Sequence, residues 1–118
     1  MNAGNKGSTL NLILDFTFDD EPLYEDQFVE MELQLNEESG CKKSVKLLLS
    51  EGGIRWSEDE GKYVAYLTQE DTIDLPDIIA YQLRAMEEDS NEVYTWPIGH
   101  FSMDGILSKK ILGVKNNG

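Results

Sequence analysis

Few side chains in this sequence could carry chemistry, so their types and spacing can be weighed one at a time. The sole histidine, His100, follows Gly99, and the sole cysteine, Cys41, follows Gly40 in a predicted turn. A zinc site needs three or four nitrogen or sulfur ligands, and one His with one Cys cannot supply them. A serine or cysteine nucleophile would need His100 as its base and an acid to orient it. No serine sits in an elbow motif that would mark it. Glu58, Asp59 and Glu60 could join Asp71 or Asp74 around calcium, whose ligands are hard oxygens, but their spacing does not match the helical-loop motif, and a solvated acidic loop is the preferred reading. Gly52-Gly53 lacks the Lys-Ser/Thr and following helix that cradle a phosphate. The expectation is therefore no enzyme, with no catalytic, cofactor-binding or metal-binding residue and no cofactor. Cys41 cannot form an internal disulfide and reads as a free thiol without a role.

The elements that would position such groups read as strands. "TLNLILDFTF" places Leu10, Leu12, Leu14, Phe16 and Phe18 on every second residue, which in a strand is one face. "VEMELQL" repeats the pattern with Val29, Met31, Leu33 and Leu35 inward, and "SVKLLLS" with Val45, Leu47 and Leu49. "EGGIRWSEDEG" is a loop or short hairpin, and "KYVAYLT" puts Tyr63, Ala65 and Leu67 on one face against Val64 and Tyr66 on the other. "QEDTIDLP" then predicts a corner. A short helical turn over Glu70–Asp74 uses acid and Thr side chains to satisfy open backbone groups, Leu75 plugs the core, and Pro76 ends the turn. "IIAYQLRAM" alternates Ile79, Tyr81, Leu83 and Ala85 against Ile78, Ala80, Gln82, Arg84 and Met86, "EEDSNE" is a hairpin tip, and "VYTWPIGHFSM" gives two strand pieces broken at Pro97-Ile98-Gly99. About seven strands with turns at intervals of roughly ten residues predict an all-β fold, a single antiparallel immunoglobulin-like β-sandwich. The domain is expected over residues 9–112, after a flexible lead at 1–8 and before a frayed tail at 113–118. Tyr24, Trp56, Tyr66, Tyr94 and Trp96 could serve surface contacts, or the two tryptophans could fill the sandwich.

At 118 residues, 40% of them hydrophobic, the chain can bury one real core. Its formal charge of −13 opposes binding to a phosphate backbone. The acid is lopsided: no Lys or Arg occurs from Gly7 to Cys41, whereas Lys42, Lys43 and Lys46 follow, and Lys109, Lys110 and Lys115 lie near the other end. Such polarity can orient a subunit against a complementary neighbour, or simply solvate the surface. Asp15 interrupts the only early apolar run, so no signal peptide or membrane span is expected.

The order of features resembles the immunoglobulin-like β-sandwich domain of tailed-bacteriophage structural proteins, similar to the N-terminal domain of siphophage upper-baseplate proteins. The matching positions are Glu70, Asp71, Thr72, Leu75, Pro76, Tyr81, Gln82, Leu83, Arg84, Gly99 and Phe101, within Leu10–Met103. Where that family has a Gly soon after the Leu-Pro, this sequence has Asp77-Ile78. The resemblance implies a non-catalytic phage or prophage virion component, made in the bacterial host cytoplasm. With no long fibre region following, it implies a tail or baseplate accessory or adaptor subunit. Its partners would be other phage structural proteins, with a homo-oligomer open, and neither nucleic acid nor membrane. Two other functions compete: an acidic host-directed regulator that mimics nucleic-acid charge, and a small carbohydrate-binding module.

Overall fold

A computed structural model describes residues 2–37 and 44–105. The expected turn around Cys41 and the expected tail at 113–118 lie outside these residues. The described chain is all-β apart from two short helical turns, one of them a 3-10 turn at Leu49–Glu51. Its strands are β1 (Asn2–Asn5), β2 (Leu10–Leu14), β3 (Thr17–Phe18), β4 (Glu21–Pro22), β5 (Phe28–Glu37), β6 (Ser44–Leu48), β7 (Ile54–Ser57), β8 (Lys62–Leu67), β9 (Ile78–Glu87), β10 (Val93–Thr95) and β11 (Gly99–Asp104). The helical turn α1 spans Gln69–Ile73. Eleven strands among the described residues exceed the expected seven, because short pieces and the N-terminal lead pair as well.

The larger sheet runs β1-β11-β9-β5-β6, with β10 also on β9; the smaller runs β2-β8-β7; β3 and β4 form a ribbon. Alternation explains why these segments pair. Met31, Leu33 and Leu35 of β5, Ile79 and Leu83 of β9, Ile54 of β7, and Tyr63, Ala65 and Leu67 of β8 bury their inward faces in one shared core. Burial of each large apolar side chain there stabilises by about 1.5–3 kcal/mol.

Three expectations are corrected. The long first strand breaks after Leu14: the Asp15 N–H donates to the Ile13 carbonyl at 3.1 Å, a tight local turn. The chain resumes as β3 and reverses at Asp19-Asp20, whose φ angles of 53° and 65° suit a type I′ turn. Second, Val29 faces outward, 45% exposed, and Phe28 is buried in its place. The register against β9 slips between Phe28 and Glu30, so one extra residue in β5 flips the side chain before it. Third, the lead is not loose over Asn2–Asn5, which pairs parallel with β11, the one departure from antiparallel pairing among the described strands.

The corner forms as its residues dictate. Thr68 caps α1: its hydroxyl accepts from the Asp71 N–H at 3.2 Å, and its own N–H donates to the Asp71 carboxylate at 2.8 Å. This is a reciprocal capping box, so the acid serves the turn. Leu75, 2% exposed, closes the core below it. Thr72 is fully buried, and its Oγ1 accepts the Gly7 N–H at 2.9 Å and donates to the Ser8 carbonyl at 2.8 Å. The corner thus pins the chain that leads into β2.

Candidate functional site

The residues weighed for chemistry are scattered by the fold. His100 is exposed on β11, opposite Ala80 of β9. Glu58, Asp59 and Glu60 lie in the turn between β7 and β8, whereas Asp71 and Asp74 follow the far end of β8. The six residues of β8 between them span about 17 Å, too far for one ion. Among the described residues no group of three or more His, Cys, Asp or Glu side chains is placed to hold a metal. No helix there is long and apolar enough to cross a membrane.

Charge is nonetheless tuned in places. Partial burial works to raise the Glu30 carboxyl, but hydrogen bonds from the Ser50 hydroxyl and the backbone N–H groups of Ser50 and Met31 hold it below its ordinary value. Glu25 is pushed up by desolvation and by neighbouring Glu58 and Asp26. Asp77 is held down by its hydrogen bond to Lys6, which ties the N-terminal lead to the corner. The Tyr94 hydroxyl donates to Glu92 at 2.8 Å and is pushed up to about 12.

The aromatic residues divide. Trp96 packs edge-on against Phe16 and Phe28 and donates its indole N–H to the Thr17 carbonyl at 2.7 Å. Trp56 packs against Tyr63 with ring centroids 5.0 Å apart. Both tryptophans therefore serve the interior, as does Tyr94, packed edge-on against Phe18 with ring centroids 4.6 Å apart. Tyr66 lies under the Arg55 guanidinium, 4.0 Å from its ring centroid, a cation–π contact. Tyr24 alone of the five is largely exposed.

What the fold does assemble is an apolar slot between the sheets. Leu12, Leu14 and Phe16 line it from the β2 side, and Leu33, Tyr81 and Phe101 from β5, β9 and β11. Its volume is about 250 Å³, and Asp15 stands at its rim, paired with Lys62 at 2.8 Å. One wall depends on a glycine: Tyr81 lies across Gly99, its cross-strand partner, where a Cβ would overlap the phenol ring. Tyr81 is braced there by Phe16 and Phe101. Leu12, Ile13 and Leu14 of β2 border the slot, and the only strand partner of β2 among the described residues is β8. Sequence periodicity puts Leu12, Leu14 and Phe16 on one face and Leu33 inward, but the gap between them and Tyr81 depends on how two sheets meet.

No protein-family model, curated protein or solved structure matches this chain.

Proposed function

We propose that this chain is a non-catalytic virion component of a tailed bacteriophage or prophage, an accessory or adaptor subunit of the tail or baseplate that binds other structural proteins. The observation that carries the binding role is the β2 edge, which among the described residues pairs on one side only, beside an apolar slot on an all-β body. Exposed Ile13, Ile78, Val93 and Ile98 add apolar contact area. The phage assignment and the immunoglobulin-like arrangement rest on the resemblance of the corner and the strands after it. Thr72 and Leu75 in that pattern anchor the corner, and Tyr81 and Gly99 pack on one another. Mass spectrometry of gradient-purified particles from the source phage or prophage tests this reading, and absence from every particle overturns it.

A second reading is favoured by one observation, the formal charge of −13. Dense surface acid could imitate a phosphate backbone and occupy a host DNA-binding protein. That reading predicts recovery of nucleic-acid enzymes from host lysate and their loss at high salt.

A further inference from the structure

We infer that the edge of β2 left unpaired among the described residues, with the slot behind it, forms a strand-addition site for an extended, basic and apolar segment of a partner protein. The inference rests on the binding role proposed above and names its surface. An edge strand presents unpaired N–H and C=O groups that template another strand unless charge, Pro or a bulge blunts it. The other edge of the smaller sheet, β7, carries Arg55, and β6 at the edge of the larger sheet carries Lys46. By contrast β2 reads Leu-Asn-Leu-Ile-Leu, with no charge, no Pro and an unbroken register from Leu10↔Leu67 to Leu14↔Tyr63.

Slot size selects what enters. The 250 Å³ available exceeds the roughly 150 Å³ that accommodates a benzene ring, and falls short of the roughly 300 Å³ at which most small-molecule sites begin. Alternate side chains of a strand point to one face about 6.6 Å apart. A strand added beside β2 would therefore direct successive inward apolar side chains at the slot while its backbone pairs with the edge.

Charge selects the partner. Asp15 at the rim is paired with Lys62, but Asp19, Asp20 and Glu21 are exposed just beyond it, and the chain carries −13 overall. A second copy would be repelled, whereas a basic segment is attracted and oriented.

The test is calorimetric titration of the full-length protein with a synthetic peptide of alternating Leu and Thr flanked by lysines, with amide exchange followed on β2. Saturable binding with protection over Leu10–Leu14 is expected. Asp15→Lys should weaken it roughly two- to fivefold at low salt. Leu12→Phe, which fills the slot, should weaken it at least as much while the thermal midpoint is retained. N-methylation of the pairing amides of the peptide should abolish binding. Equal binding of the N-methylated peptide, or of one with its leucines in a block, would overturn the inference. So would the absence of protection over β2, or its protection by self-association of the protein alone. Should the peptide fail while the protein still co-sediments with particles, this site is wrong and the virion role stands.

Discussion

Thr72→Val replaces a buried hydroxyl with a methyl of similar size and so isolates two hydrogen bonds. In the native protein Oγ1 accepts the Gly7 N–H at 2.9 Å and donates to the Ser8 carbonyl at 2.8 Å. Each such bond contributes about 1 kcal/mol net, and a partner left buried and unsatisfied costs about 1–3 kcal/mol. Gly7 is half-buried and Ser8 exposed, so water can reach the abandoned groups in part. The expected loss is therefore near the lower end, about 2 kcal/mol, a sizeable share of the 5–15 kcal/mol typical of a domain. Urea denaturation reads the total, and amide exchange at Gly7 reads the local part. Thr72→Ser keeps the hydroxyl and should preserve slow exchange at Gly7. A Thr72→Val protein within about 0.5 kcal/mol of the parent, the range of ordinary surface changes, with Gly7 still protected, would refute the corner as the anchor of the lead.

Gly99→Ala should destabilise by about 1–3 kcal/mol, because the new methyl must displace the braced Tyr81 ring. Adding Tyr81→Leu should recover part of that loss, and a double-mutant cycle by thermal melting measures the coupling. Trp96→Phe should cost about 1 kcal/mol or more through the lost bond to the Thr17 carbonyl, read by denaturant unfolding. The Glu30 carboxyl is held below its ordinary 4.5 in the folded state. Its contribution to stability is therefore present above that pH and lost as pH falls through the lowered folded value. Glu30→Gln should be less stable than the parent at neutral pH, and the gap should close in acid, as paired urea titrations would show. The Tyr94 phenol, pushed up to about 12 by Glu92, should ionise late in an ultraviolet alkaline titration and earlier in Glu92→Gln.

Much of this architecture is legible in the sequence where a local rule governs it. Alternation groups Ile79, Leu83 and Ala85 of β9 on the face that is buried, because half-buried strands repeat every two residues, whereas β8 buries Val64 as well as Tyr63, Ala65 and Leu67 and so shows no single inward face. The corner is legible because acid and Thr side chains stand ahead of Leu75-Pro76, although the turn starts at Gln69, capped by Thr68, one residue before the expected Glu70. Val29 is misassigned because a single inserted residue reverses facing, and the slip is defined only by the partner strand β9. Asn2–Asn5 carries no apolar pattern at all; its pairing with β11 joins backbones nearly a whole chain apart in sequence. The slot is hidden for a related reason. Several of its lining residues are recognisable as inward-facing, yet the space between them exists only once β2 and the larger sheet are brought together around Tyr81 and Gly99.

The most direct measurement of contact through the β2 edge is site-resolved amide exchange on the protein, free and bound to purified particles. Slowed exchange concentrated at Leu10–Leu14 on the particle is the predicted result. Bound protein whose β2 amides exchange as fast as in the free state would contradict it.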